Sequence, residues 1–227
     1  MGLVGRDHRV ACWPTMASDP TPDAARAYER LAGAGAIVAG IGGIVYSVAF
    51  LGGVVEGWAP ELGLTVASIA LMAGGLLSVL VLVAVYRRLL ESAAAVGLLG
   101  LMLVAVGATG AIVHGGYDLA NAVHAPVTDV LAEAQLPSPI DPRGLLTFGV
   151  SGLGLLVLAW QSRHSGTLPA NVAALGIAVG ALLIVVYLAR LIILTPTNLL
   201  VAVPAAATGL VLSPLFYILL GIELRRR

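Results

Sequence analysis

The feature that most limits this chain is a set of long apolar stretches with almost no charge inside them. They cover residues 31–55, 62–86, 92–117, 144–162, 167–194 and 199–222, and Arg190 is the only charged side chain they contain. Thr195-Pro196-Thr197-Asn198 separates the last two. Crossing about 30 Å of hydrocarbon takes about 20 apolar residues as a helix. Backbone in lipid must also satisfy its own hydrogen bonds, and barrel strands that do so alternate in polarity, which these runs do not. The sequence therefore predicts an all-α protein, a polytopic transmembrane bundle of six helices.

The arginines orient it. Arg26 and Arg30 precede the first stretch, Arg87 and Arg88 follow the second, Arg163 follows the fourth, and Arg225, Arg226 and Arg227 end the chain. With six alternating crossings all four clusters fall on one side, which the positive-inside rule makes cytoplasmic. The other side carries Glu56, Glu61, Asp129, Glu133 and Asp141, with Arg143 the one basic residue in a loop there. Trp58 and Trp160 fall near opposite faces, as interfacial anchors would. The expected layout is N-in/C-in in a bacterial or archaeal cytoplasmic membrane: a cytoplasmic tail and short helix over 1–30, a membrane domain over 31–223 and an Arg tail over 224–227. Thr21-Pro22-Asp23 is a helix start, with Pro in the first turn and Asp at the positive end of the dipole. The helix it opens is expected to run directly into the first crossing. Residues before Met16 have no apolar core of signal-peptide type and are expected to be a start-site extension or a tail.

Composition narrows the chemistry. Only 11% of residues are charged against 59% hydrophobic, where a water-facing domain carries about 25% charged. The formal net charge is zero, so nothing points to a nucleic-acid partner. There is no lysine, which removes Schiff-base chemistry, and Cys12 is the single cysteine, which removes an intramolecular disulfide. No catalytic motif stands out, no cofactor is expected, and no third residue beside His114 and Asp118 suggests a metal site. Mid-span polar content is limited to Tyr46, Ser47, Ser78, Thr109, Ser151, Thr208 and Ser213.

The candidate ligand-binding residues lie at the outer end of the third stretch: His114, Tyr117, Asp118, Asn121 and His124. At about 100° per residue they share roughly a third of a helix circumference, and polar groups near a membrane face protein or water. Gly115-Gly116 within this run is a place where the helix could break. Arg190, near the outer end of the fifth stretch, completes the candidate set, and similar depth predicts an Asp118–Arg190 ion pair. Between the third and fourth stretches, residues 127–135 are expected to form a short interfacial helix. A partial echo of 75–89 in 180–191 also raises a three-plus-three inverted repeat.

Three segments of the second half, Arg163-His-Ser-Gly-Thr-Leu-Pro169, Ala173-Ala-Leu-Gly-Ile-Ala-Val-Gly180 and Pro214-Leu-Phe-Tyr-Ile-Leu-Leu-Gly221, resemble a broad group of uncharacterised six-span bacterial membrane proteins known only as a domain of unknown function. The resemblance implies six helices and brings no catalytic residues with it. The function expected first is a structural or accessory membrane subunit. Binding or transport of a lipid or small solute through an outer-leaflet polar pocket comes second, and an outer-face enzyme third. Expected partners are membrane lipids and other membrane subunits or a second copy.

Overall fold

The computed structural model describes residues 22–124, 143–193 and 198–226. Among these residues every regular element is helical. Five helices are long and apolar enough to cross a membrane: α1 (Asp23–Val55), α2 (Pro60–Val123), α3 (Leu145–Ser165), α4 (Ala170–Ile192) and α5 (Leu199–Arg225). Residues 127–135, where an interfacial helix is expected, lie outside the described residues, as does the tail before Pro22.

α2 has 64 residues and would be about 96 Å long if straight. It is not straight: Ala93, with φ −158° and ψ 45°, leaves the helical region, and the chain doubles back. A Cβ on Gly75 would stand 2.9 Å from the Ala108 carbonyl oxygen, and one on Gly115 2.6 Å from that of Ser68. The two limbs, 60–92 and 94–123, are thus antiparallel and nearly backbone to backbone. The reversal comes a little later than the Arg87–Glu91 charges suggest. The guanidinium of Arg87 lies 5.1 Å from the centre of the Tyr28 ring and Arg88 is paired with Glu29, so both arginines belong to the packed end of the first limb.

The helices close a ring in chain order. α1 meets the first limb of α2 where Gly53 and Gly63 touch, and the second limb meets α3 through Gly100 on Leu158 and Gly154 on Val104. α3 meets α4 where Gly152 approaches the Gly180 carbonyl, α4 meets α5 through Gly176 on Phe216, and α5 returns to α1 where Gly221 faces Gly33. Small residues permit this because apolar side chains gain little by leaving lipid for a helix interface, so close backbone approach carries the packing. Many larger apolar residues point outward: Met102, Val113, Ile192 and Leu199 are each more than half exposed, while Phe216, Leu89, Leu158 and Leu220 fill the core. An outer surface of that kind belongs in an apolar solvent.

Antiparallel packing gives the bundle two ends. Ala93, the Ser165–Ala170 connection and Arg225 mark an Arg-rich end; Trp58, His124 and Arg143 mark the opposite one, called here the Asp118 end. Two glycines with positive φ shape the connections. Gly57 (φ 74°) turns the chain so that the Trp58 ring covers Gly52, and Gly166 (φ 68°) caps α3 before α4 begins.

Three stretches depart from α geometry: Ala49–Val55, Leu145–Val150 and Ala207–Leu212 are π-helical. All lie in the half of the bundle toward the Asp118 end.

Candidate functional site

The second limb of α2 carries the predicted polar run, and Gly115-Gly116 does not break it; the helix continues to Val123. Gly115 is buried against Ser68 and Met72 of the first limb, so its missing side chain serves the contact between the limbs. With the helix intact, His114 and Asp118 stand one turn apart, with Nε2 of the imidazole 3.5 Å from Oδ2 of the carboxylate.

Asp118 then meets Arg143, whose guanidinium donates to Oδ1 at 3.2 Å. The same guanidinium lies 4.3 Å from the centre of the Tyr117 ring, where the ring's negative face attracts a cation. On its other side His114 places Nδ1 3.4 Å from the Thr147 hydroxyl of α3. A continuous polar chain, Thr147–His114–Asp118–Arg143, therefore joins the second limb of α2 to the start of α3.

The expected Asp118–Arg190 pair is not what forms. Arg190 donates to the carbonyl of Ile193 at the end of its own helix, and Asp118 takes Arg143. The reason is the ring order: α3 lies between the second limb of α2 and α4. Of the other predicted residues, Asn121 is half-buried further along the same helix, and His124 is exposed at its end, its backbone N–H donating to the Ala120 carbonyl. Arg143 and Thr147 are the members that the sequence did not assign. Arg143 had left a signal, as the one basic residue on an otherwise acidic side.

A hydroxyl, an imidazole and a carboxylate in line have the order of a nucleophile, its base and an orienting acid. Packing argues against that use here. Thr147 is 7% exposed, so its hydroxyl lies within the packing of the bundle and not at an open surface. Among the described residues no three His, Cys, Asp or Glu side chains gather closely enough to hold a metal ion.

A second network, unforeseen from the sequence, lies at the Arg-rich end. Arg88 of α2 forms a bidentate pair with Glu29 of α1, at 2.9 and 3.0 Å. Its NH1 nitrogen is 3.9 Å from Glu223 of α5. The three side chains are 9%, 21% and 12% exposed. Beside them the Tyr28 hydroxyl donates to the Leu80 carbonyl at 2.8 Å. Both networks do the same thing: each neutralises charges while joining separate helices. Comparison with family models, with curated proteins and with solved structures finds no match for this chain.

Proposed function

We propose that this is a multi-pass protein of a bacterial or archaeal cytoplasmic membrane that acts as a structural or accessory subunit. Counting the limbs of α2 separately gives six crossings, and the Arg-rich end is cytoplasmic, so that both termini are inside. The likeness of segments 163–169, 173–180 and 214–221 to six-span bacterial proteins supports that layout, and two groups of three limbs in opposite senses leave room for an inverted repeat.

The observation that carries the accessory role is how the ring is closed. A glycine stands at each contact, backbone to backbone at Gly53–Gly63, Gly152–Gly180 and Gly33–Gly221 and against a side chain at Gly100–Leu158 and Gly176–Phe216. The charges of the two networks are held in helix–helix pairs. A carrier needs interfaces that slide and a midplane site for its cargo; the polar space inside this bundle has about 60 Å³, too little for a lipid or an ordinary solute. A second reading, lipid binding, has its own observation: a groove of about 370 Å³ lined only by Val96, Leu156, Val157, Trp160 and Ile177. It lies away from the His114 cluster, so an acyl chain rather than a headgroup fits it.

The two main readings separate by accessibility. With Cys12 replaced by Ser, single variants Ser68→Cys and Ser162→Cys place near-isosteric thiols at buried positions in opposite halves. A fixed bundle leaves both unreactive to membrane-impermeant maleimides from either side. Labelling of one thiol from one side, changing with conditions or added solute, would mean alternating access and end the accessory reading.

A further inference from the structure

Near the centre of the ring is a narrow space of about 60 Å³ whose polar lining is Ser78 of α2, Ser151 of α3, and Ser213 and Tyr217 of α5. Neither polar network reaches it, and the proposed function gives it no role. Three of its hydroxyls are among the mid-span polar residues that stand out in the sequence; the structure brings them together from three helices.

Two of those serines stand where a π-helix returns to an α-helix. Ser151 follows Leu145–Val150 and its backbone N–H donates to Leu146; Ser213 follows Ala207–Leu212 and its N–H donates to Thr208. Each bond reaches back five residues. When the ladder returns to a reach of four, one carbonyl is passed over at each junction, that of Thr147 in α3 and that of Gly209 in α5. In α5 the next residue is Pro214, which has no N–H to offer, so the Leu210 carbonyl loses its helical donor as well.

Two of the serine protons are directed elsewhere. Ser78 Oγ donates to the Gly75 carbonyl at 2.8 Å and Ser151 Oγ to that of Leu146 at 3.4 Å, while the Tyr217 hydroxyl is within reach of Ser78. The lining therefore both accepts and donates hydrogen bonds, and a ligand that fits must do both. A metal cation donates none, and its desolvation is costly with no carboxylate in the lining to offset it. Water donates two. A water needs about 10–15 Å³ of such volume and two to four polar partners, so by volume about four to six molecules fit.

We propose that this space is a resident water site, in which a small cluster is held by the hydroxyls of Ser78, Ser151, Ser213 and Tyr217.

X-ray radiolytic footprinting of the full-length protein tests this, because hydroxyl radicals formed from a bound water oxidise the side chains beside it. Phe216 is an internal reference that adjoins Tyr217 in the chain, is also aromatic and does not line the space, but it is 1% exposed where Tyr217 is partly exposed, so the variants decide the test rather than the ratio alone. The expected result is oxidation of Tyr217 several-fold faster than Phe216. Ser213→Val, which fills the space and removes a hydroxyl, should bring Tyr217 down to the Phe216 rate while the protein elutes as the wild type does. Ser213→Ala covers the case in which the valine does not fold, and should lower the Tyr217 rate part of the way. Equal, low rates at both aromatics in the wild type overturn the proposal, and so does a Tyr217 rate that neither variant changes.

Discussion

At the scale of single residues, charge in this protein follows partners. Asp118 is 27% exposed and Arg143 23%, so their pair stands between a surface ion pair, worth up to about 1 kcal/mol, and a buried one, where loss of a partner costs about 3–5. Asp118→Asn and Arg143→Gln are each expected to cost about 1–3 kcal/mol in thermal unfolding on that scale, while Glu56→Gln, at an exposed carboxylate, stays within about 0.5. The double variant should cost clearly less than the sum of the singles, since both remove one interaction. Additive effects, or singles no worse than Glu56→Gln, would mean that the chain from Thr147 to Arg143 holds nothing together. The sequence shows that His114 and Asp118 share a helix face, because a 3.6-residue period is a local property. It does not show their partner. Asp118 to Arg143 spans 25 residues and Arg88 to Glu29 spans 59, and such pairings depend on which helices are neighbours. Depth alone chose Arg190; ring order chose Arg143.

Elements were far more legible than partners. Most ends of the apolar stretches fall within three residues of the helix ends, because charge and proline mark where a helix can leave an apolar solvent, while α1 starts eight residues earlier and each limb of α2 runs six residues further. What the pattern could not give is the three π-helical segments. Their apolar residues look like any others, and the register shift is visible only when backbone bonds are traced. Nor could it tell which glycines matter. Gly74 and Gly75 are adjacent on α2, yet nothing stands within 4 Å of a Cβ built on Gly74, whereas one on Gly75 meets the Ala108 carbonyl oxygen at 2.9 Å. Gly74→Ala should be neutral or stabilising by about 0.4–1 kcal/mol, through lower backbone entropy in the unfolded chain and better helix propensity. Gly75→Ala gains the same propensity but must push the limbs of α2 apart, at a cost of about 1–3 kcal/mol. Thermal unfolding of the two variants side by side in one detergent checks this. Equal stabilities would show that the limbs are not in backbone contact and that the doubling back at Ala93 is looser than described.

At the scale of the whole molecule, the two ends of the bundle differ in charge, and that asymmetry makes the proposed topology testable. The Arg-rich end gathers Arg87, Arg88, Arg163, Arg225 and Arg226, while Glu56, Glu61 and Asp118 lie toward the other. Moving arginine across a bilayer is costly, about 2.5–3.5 kcal/mol for one at the centre of a helix on insertion scales, so several arginines at one end make the reverse orientation unfavourable many times over. Reporter fusions after Glu91, Arg163 and Arg227 are therefore expected to report the cytoplasm, and fusions near Gly63 and Pro137 the outside. The Glu91 fusion is the most informative, because it decides between a helix that doubles back and one long rod. A chain that returns at Ala93 puts the stretch around Glu91 on the cytoplasmic side, with Gly63 and Pro137 both outside. A straight α2 would cross once and leave Gly63 and Pro137 on opposite sides, with five crossings in place of six and the termini on different faces. An outside signal at Glu91 or Arg163 overturns the six-crossing layout. A sharper version adds Arg87→Glu and Arg88→Glu together: with the Glu29 and Glu223 pairs made repulsive and the positive cluster gone, the Glu91 fusion should lose part of its cytoplasmic signal while the fusion after Arg163 keeps its own. If both signals hold unchanged, the distal arginines and the ring packing fix the orientation without the Arg88 network.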